Sequence, residues 1–367
     1  MGTPTILTLN AGSSSLKYAL YMDGARVAGA TVDRVGMGTD DRGAALEKVL
    51  AAVGGHGEIA AVGHRVVHGG ERFVAPVRID DDVLAALHRL STIDPDHLPA
   101  EIALIEAMRM RSPATTQVAC FDTAFHATMP RVSRLLPIPR RYEASGLRRY
   151  GFHGLSYGYI VEHLGEAARG RLVMAHLGSG ASLCAARDGK SVDTTMGFTP
   201  TGGIPMGTRT GDLDPGVLLY MMRSESASAT TIDELVNKHS GLLGVSGTSA
   251  DMRELLAREA NDTAAADAVA LFCHGVRKAV GALAATLDGL DTLVFAGGIG
   301  ENAPVVRTRV CAGLSHLGVV LDPARNDASC DIVSTNASAC TVRVVRTDEE
   351  AVIARETAAL LHHRRSS

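Results

Sequence analysis

The sequence predicts an α/β protein made of two related domains, and three observations support this prediction. Hydrophobic residues make up 46% of the 367 residues and there are 39 glycines, which is typical of a globular α/β chain with many tight turns. A chain of this length usually forms more than one domain. Residues 5–27 and 172–192 also share one pattern: strand, glycine/serine loop, strand and Asp-Gly turn.

The shared pattern indicates an internal repeat. Gly12-Ser13 falls on Gly178-Ser179, and Asp23-Gly24 falls on Asp188-Gly189. An Asp-Gly pair between two strands is a strong signal for a tight hairpin. The repeat therefore predicts two domains that each open with a hairpin holding a small polar loop, and two such loops could grip different phosphates of one nucleotide. Chance similarity between two hairpins is the alternative.

Hydrophobic periodicity predicts the other elements. Strands are expected at 60–67, 117–122 and 292–296, and helices at 44–53, 80–90, 99–110, 155–164, 249–257, 264–290, 304–314 and 348–363. Ser249 is expected to cap its helix. Residues 130–149 read as a surface connector, residues 197–214 as a long structured loop, and residues 297–302 as a glycine loop between a strand and a helix. The last context is typical of nucleotide binding.

Composition argues against several classes of function. The net charge is −4, from 36 basic and 40 acidic residues, so there is no electrostatic case for nucleic acid or an anionic membrane surface. The six cysteines form no Cys-x-x-Cys pair, which disfavours a zinc site or a disulfide framework. The apolar run 264–290 carries Asp267, Arg277 and Lys278 and is expected to be a buried core helix rather than a membrane span. Residues 1–7 lack signal-peptide character, so we expect a cytoplasmic protein with reduced thiols.

Eight ordered motifs resemble the acetate kinase family. They are Asn10-Ala-Gly-Ser-Ser-Ser-Leu-Lys17, Gly63-His-Arg-Val-Val-His-Gly-Gly70, Phe121-Asp-Thr-Ala-Phe-His126, Tyr150-Gly-Phe-His-Gly154, Met196-Gly-Phe-Thr-Pro200, Met206-Gly-Thr-Arg-Thr-Gly-Asp212, Gly298-Ile-Gly-Glu-Asn302 and Glu349-Glu-Ala-Val-Ile-Ala-Arg-Glu-Thr357. One glycine loop is a weak signal, but this ordered set spans nearly the whole chain.

The resemblance implies a two-lobed, actin-like (ribonuclease H-like) fold with nucleotide in the cleft. It places the first lobe at residues 1–126 plus 350–367 and the second lobe, with nucleotide-binding and dimerisation elements, at 127–349. It also implies ATP-dependent phosphorylation of a short-chain carboxylate to an acyl phosphate. ATP or ADP would be the co-substrate and Mg²⁺ the metal, with Mn²⁺ as an alternative ion. The expected assembly is a homodimer.

Carboxylate chemistry explains why arginines matter in such a site. A carboxylic acid is ionised at pH 7, so no general base is needed, but an anion must attack an anionic γ-phosphate. Cations must therefore stand where charge accumulates. By resemblance, Arg65 and Arg209 bind substrate and stabilise the transferring group, His153 donates a hydrogen bond to it, His97 is a second active-site histidine, and Asp122 orients an arginine or helps to place Mg²⁺.

The resemblance assigns further residues to binding. Val67, Phe152 and Pro200, together with Arg65, would hold the acyl substrate, and Asn10 and Glu349 would hold the metal. ATP-binding residues would be Ser13, Ser15, Lys17, His176, Leu177, Gly178, Ser179, Gly180, Asp251, Met252, Arg253, Gly298, Ile299, Gly300, Glu301 and Asn302.

The chain departs from the family pattern near the acyl pocket. Asp96-His97-Leu98-Pro99 stands where Leu-His-Asn-Pro is usual, Ser179 replaces an Asn, Met252 an aromatic residue and Tyr157 a His. Asp96 either points away or makes the pocket polar, so the preferred acid stays open. A sugar or polyol kinase and a catalytically silent nucleotide-binding protein remain alternatives; the former needs a carboxylate base to accept a hydroxyl proton.

Overall fold

The computed structural model describes residues 4–12, 15–33, 35–36 and 38–362. These residues form two compact units. The first draws on Met1–Ala127, Gly154–Tyr159 and Asp348–Ser367, and the second on Thr128–His153 and Ile160–Thr347. The first unit thus includes residues 154–159, which the sequence-based division had left in the second lobe. That division, at residues 126 and 350, stays a prediction about lobes.

The first unit is a six-stranded sheet between helices. Its strands are β1 (Ile6–Ala11), β2 (Ser15–Met22), β3 (Ala25–Asp33), β4 (Ala61–Val66), β5 (Val77–Arg78) and β6 (Thr116–Phe121), in the order β3-β2-β1-β4-β6-β5. Strand β1 pairs antiparallel with β2 and parallel with β4, and β4 pairs parallel with β6. Its helices are α1 (Thr39–Val53), α2 (Asp81–Leu90) and α3 (Leu98–Arg111), followed much later in the chain by the C-terminal helix described below.

The second unit repeats this topology. Its helices and strands are, in chain order, α4 (Arg131–Arg134), α5 (Arg140–Ala144), α6 (Gly154–Leu164, whose beginning belongs to the first unit), β7 (Arg171–Leu177), β8 (Ala181–Arg187), β9 (Lys190–Thr194), α7 (Pro215–Ser224), α8 (Ala229–Lys238), α9 (Gly241–Ser246), α10 (Met252–Arg258), α11 (Thr263–Thr286), β10 (Thr292–Ala296), α12 (Gly297–Asn302), α13 (Pro304–Cys311), α14 (Pro323–Asp327) and β11 (Thr341–Val344). The sheet order is β11-β10-β7-β8-β9. Helix α15 (Glu349–His362) follows and packs in the first unit.

The two hairpin turns have matching backbone geometry. Asp23 and Gly24 have φ of 49° and 77°, and Asp188 and Gly189 have φ of 51° and 75°. Positive φ at both central residues is the type I′ geometry that continues the twist of the flanking strands. Together with the shared strand order, these turns support the predicted duplication rather than chance similarity.

The core of the first unit lies on both faces of its sheet. Leu7, Leu9 and Leu20 pack with Leu46 of α1 and Leu104 of α3 in one cluster. On the other face, helix α15 contributes Val352, Ile353 and Ala354. Leu155 joins Val352 and Ile353 there, which explains why residues 154–159 belong to this unit.

Several predicted elements differ in the structure. Residues 297–302 form the short helix α12 rather than a loop, because Gly297 turns the backbone at φ +74° and its N–H donates to Glu301 Oε1 at 3.0 Å. Helix α10 begins at Met252 with Asp251 as its N-cap, so Ser249 is not the capping residue. The connector 130–149 contains helices α4 and α5.

Helix α11 is the described helix that is long and apolar enough to cross a membrane by length and composition. Of its most apolar window, 44% is buried, and the core helix of a soluble protein passes the same test. Val269, Phe272, Val276 and Val280 on this helix are fully buried, as expected for a core helix. All six cysteines are unpaired in the structure, and five of them are buried.

Candidate active site

The amino-terminal hairpin contacts the start of α15 within the first unit. Asn10 Nδ2 donates to Glu349 Oε2 at 3.3 Å and to Glu350 Oε1 at 3.5 Å, and Lys17 Nζ lies 3.1 Å from Glu350 Oε2. The two predicted metal residues, Asn10 and Glu349, are therefore neighbours. Ser15 begins β2, whereas Ser13 lies outside the described residues.

This donor set is sparse for a metal. Within the described ranges, no group of three or more His, Cys, Asp or Glu side chains is placed to hold an ion. Asn10 and Glu349 together offer an amide oxygen and a half-buried carboxylate. That set fits Mg²⁺, which usually keeps waters and substrate phosphates as most of its ligands and takes only one or two carboxylates.

Arg65 is held between two buried acids. Its Nε and Nη2 donate to Asp122 Oδ2 at 3.0 and 2.5 Å, and its Nη1 lies 3.7 Å from Glu101 Oε1. Asp122 follows β6 and its backbone N–H donates to Val66 O at 3.0 Å, which places it beside the end of β4. Burial alone would lower the pKa of Arg65, but Asp122, Glu101 and Glu349 outweigh it and raise the pKa, so the guanidinium stays charged.

His97 precedes α3 and contacts a neighbouring acid. Its Nδ1 lies 2.8 Å from Asp94 Oδ1, and its backbone N–H donates to the same oxygen at 3.2 Å. Burial raises the pKa of Asp94, but the hydrogen bond from His97 and its charge lower the pKa by more, so the net shift is downward. Asp96 is half-buried and Leu98 is fully buried.

In the second unit, two predicted catalytic side chains meet at the loop after β7. His153 has a left-handed backbone (φ 59°), its Nδ1 lies 2.9 Å from Ser182 Oγ, and its ring stacks on His176 with centroids 4.4 Å apart. A Cβ built on Gly180 would lie 3.5 Å from His153 Nε2 and 3.7 Å from Arg209 Nη1. Arg209 Nη1 also donates to Pro200 O at 3.2 Å. His153 and Arg209 therefore both lie beside Gly180 of the glycine loop.

The same loop forms one wall of a pocket of about 530 Å³ within the second unit. This volume lies in the range of small-molecule sites. The lining residues are Gly178, Ser179, Ala250, Asp251, Met252, Arg253, Gly298, Ile299, Asn302 and Ala303. Eight of the predicted ATP-binding residues are in this set, and the sequence-based prediction missed Ala250 and Ala303, which simply adjoin predicted positions.

The other predicted ATP-binding residues lie elsewhere. Leu177 and Gly300 are buried, and Glu301 accepts the N–H groups of Gly297 and, at 3.4 Å, Thr347. Glu301 therefore shapes the backbone of α12 rather than lining the pocket. Lys17 and Ser15 belong to the first unit, where Lys17 forms an ion pair with Glu350.

The predicted acyl-binding residues are apolar and buried. Val67 and Phe152 are 2% and 1% exposed, and Pro200 is also buried. Val67 belongs to the first unit, and Phe152 and Pro200 belong to the second.

Two charged residues near these groups were missed by sequence reasoning. Glu101 reaches Arg65 from α3, and its position among apolar helix residues carries no local signal. Arg307 is fully buried, and its Nη1 donates to the carbonyl oxygens of Gly300 and Glu301 at 2.8 and 3.0 Å. A guanidinium can satisfy several helix-end carbonyls at once, so Arg307 stabilises the end of α12.

Comparison with known proteins identifies the family of this chain. The sequence profile of the Acetokinase family matches residues 37–355. The acetate kinase of Methylocella silvestris is 46% identical, over 97% of this chain and 98% of that protein. The crystal structure of Porphyromonas gingivalis acetate kinase is 37% identical and superposes with a TM-score of 0.88 over 98% of this chain and all of the other. A propionate kinase structure from Francisella tularensis is 35% identical, with a TM-score of 0.90 over 97% and 99% of the two chains.

These matches cover nearly the full length of each protein, so both the predicted resemblance and the predicted actin-like α/β fold are confirmed. This chain belongs to the acetokinase family.

Proposed function

We propose that this protein transfers the γ-phosphoryl group of ATP reversibly to a short-chain carboxylate, acetate or propionate, giving an acyl phosphate and ADP. One observation supports this most directly. Gly178 and Ser179 line the pocket of about 530 Å³, and the next residue of the same loop, Gly180, adjoins His153 Nε2 and Arg209 Nη1. A nucleotide in that pocket would direct its phosphates toward two hydrogen-bond donors.

The reaction needs charge neutralisation more than proton transfer. A carboxylate oxygen forms a bond to the γ-phosphorus while the bond from that phosphorus to the β–γ bridging oxygen breaks, and the electron pair leaves with ADP. No proton moves. Arg65 and Arg209 offset the charge on the carboxylate and the transferring group, His153 donates to a phosphoryl oxygen, and Asp122 keeps the Arg65 fork in place.

Mg²⁺ is part of this proposal. Asn10 and Glu349 would hold it from the first unit, and the ion would supply positive charge to the phosphate oxygens. His97, tied to Asp94, would stand beside the substrate as a second donor. Val67, Phe152 and Pro200 would contact the acyl tail, while Ser13, Ser15 and Lys17 would serve the phosphates.

The central test is a panel of carboxylates assayed with ATP and Mg²⁺, with hydroxylamine trapping of the acyl phosphate. Arg209→Ala should lower kcat by about 10² or more, as expected for losing a donor to the reacting group. Arg169→Ala is the matched control, because Arg169 is 73% exposed and its ion-pair partner Glu166 is 80% exposed. Turnover of Arg209→Ala within tenfold of the parent would contradict the mechanism.

The proposal also includes assembly of the protein as a homodimer and its location in the cytoplasm. Helix α7 exposes Val217, Leu219, Tyr220 and Met222, and Tyr220 is 66% exposed. An apolar face of this kind usually marks a protein interface. Light scattering after gel filtration should give twice the chain mass, and Tyr220→Lys should shift the protein toward monomer.

A further inference from the structure

Glu101 is a buried acid that the proposed chemistry leaves unexplained. It lies on α3 and is 2% exposed. Its Oε2 accepts the backbone N–H of Val67 at 2.9 Å, and its Oε1 lies 3.7 Å from Arg65 Nη1. Oε1 is fully buried and has no hydrogen-bond partner among the described residues. A buried carboxylate oxygen without a partner is costly when it is charged.

Burial and the charges around Glu101 together decide whether it keeps a proton. Arg65 from β4 and Arg42 from α1 favour the charged form, whereas Asp94, before α3, and Asp122, after β6, oppose it. Burial is the largest effect, and it raises the pKa of Glu101 to about 8. Near neutral pH the side chain is therefore mainly a neutral acid that still accepts the Val67 N–H.

A neutral Glu101 matters because of how Arg65 is shared. Asp122 already takes Nε and Nη2 of Arg65, so Nη1 is the nitrogen closest to Glu101. If Glu101 ionises, it becomes a second anion facing that nitrogen. An incoming substrate anion must then compete with the Glu101 carboxylate for the Arg65 guanidinium. At the 3.7 Å between Nη1 and Oε1, the attraction between opposite charges is strong.

We propose that Glu101 is a positioning residue that couples carboxylate binding at Arg65 to its own protonation. In the neutral form Glu101 accepts the backbone N–H of Val67 and leaves Nη1 of Arg65 available to the substrate. In the ionised form it draws Nη1 toward Oε1 and weakens carboxylate binding. This inference rests on the proposed function, because it takes the anion at Arg65 to be the carboxylate substrate.

The test compares KM for acetate and KM for ATP between pH 6.5 and 9.5 in the wild-type protein and Glu101→Gln. In the wild type, KM for acetate should rise toward tenfold per pH unit above about 8, the limit for one linked proton, while KM for ATP changes little. Glu101→Gln accepts the Val67 N–H but cannot ionise, so its KM for acetate should stay flat. Glu106→Gln, on the same helix and paired with His88, should keep the wild-type profile.

Thermal unfolding against pH provides a readout that does not need turnover. Because the pKa of Glu101 is raised by folding, the native state binds more protons than the unfolded state between about pH 4.5 and 8, and stability falls as pH rises through that window. The difference in Tm between Glu101→Gln and wild type should therefore grow more positive from pH 6 to 8.5. A pH-independent difference would overturn the inference.

The two proposals fail differently. Absence of turnover with every carboxylate would refute the proposed function. Normal turnover with a flat wild-type KM profile, or with the same rise in Glu101→Gln, would overturn only the role of Glu101.

Discussion

Replacing Asp122 by Asn tests whether a buried carboxylate positions Arg65 for catalysis. The change keeps the shape of the side chain and removes its charge. Asp122 is 0% exposed, and its Oδ2 accepts both Nε and Nη2 of Arg65. Arg65 then keeps Glu101 as its nearest buried acid, and loss of the Asp122 charge favours the ionised form of Glu101, which would pull the guanidinium toward α3.

The size of the effect follows from these two bonds. A hydrogen bond to a charged group contributes about 1.5–3 kcal/mol, and a neutral acceptor gives about half of that. Two weakened bonds therefore cost about 1.5–3 kcal/mol of unfolding free energy. If the transition state loses a similar amount of stabilisation because Arg65 is misplaced, kcat falls by about 10- to 150-fold.

The assay pairs hydroxylamine-trapped turnover with urea unfolding followed by circular dichroism. Asp291→Asn is the matched control, because Asp291 also binds an arginine, Arg171, but both side chains are substantially exposed. It should leave kcat within about threefold, since exposed pairs are weak. A well-folded Asp122→Asn protein with kcat within threefold of the parent would refute the positioning role of Asp122.

Three further predictions address the second unit and the acid stability of the first. Gly241→Ala should lower kcat by about 10² or more, because a Cβ at φ +61° would lie 2.1 Å from Met206 O and 2.7 Å from Arg209 O. The control is Gly247→Ala, at the other end of α9 with φ +67° and nothing within 4 Å, which should cost only about 1–2 kcal/mol in urea unfolding. Equal kcat in the two variants would contradict this prediction. Gly298→Leu should raise KM for ATP about tenfold, which corresponds to about 1.4 kcal/mol of binding energy, while KM for acetate is unchanged. The reason is that Gly298 lines the pocket and a Cβ built there meets no atom within 4 Å. An unchanged KM for ATP would place the nucleotide elsewhere. His64 is buried against Gln117, and burial lowers its pKa to about 4. Between pH 6.5 and 4 the unfolded state therefore binds a proton that the folded state does not, and the free energy of unfolding should fall by about 3 kcal/mol as the pH drops through this range. His64→Gln should lack this fall in urea unfolding, and an acid profile identical to that of the wild type would exclude His64 as its source.

Local patterns predicted much of the fold. The Asp-Gly pairs at 23–24 and 188–189 adopt the positive φ values that their hairpins require, and the strand at 292–296 has the predicted bounds. These features depend on backbone preferences within a few residues, which a sequence displays directly. The glycine segment 297–302 is the instructive exception. Its helix depends on Arg307 and on the turn at Gly297, and glycine alone is a poor helix former.

The sequence by itself determined the duplicated hairpins, the family and the types of residue available for phosphoryl transfer. Only the tertiary structure decided how the charges are arranged. Arg65, Glu101 and Asp122 come from a strand, a helix and a strand end, and they meet because β4 lies between β1 and β6 while α3 packs on that sheet. Contacts of that kind are set by register and packing between distant segments, and the protonation of Glu101 is set by its burial. Neither these contacts nor the burial of Glu101 can be predicted from the residues next to it in the sequence.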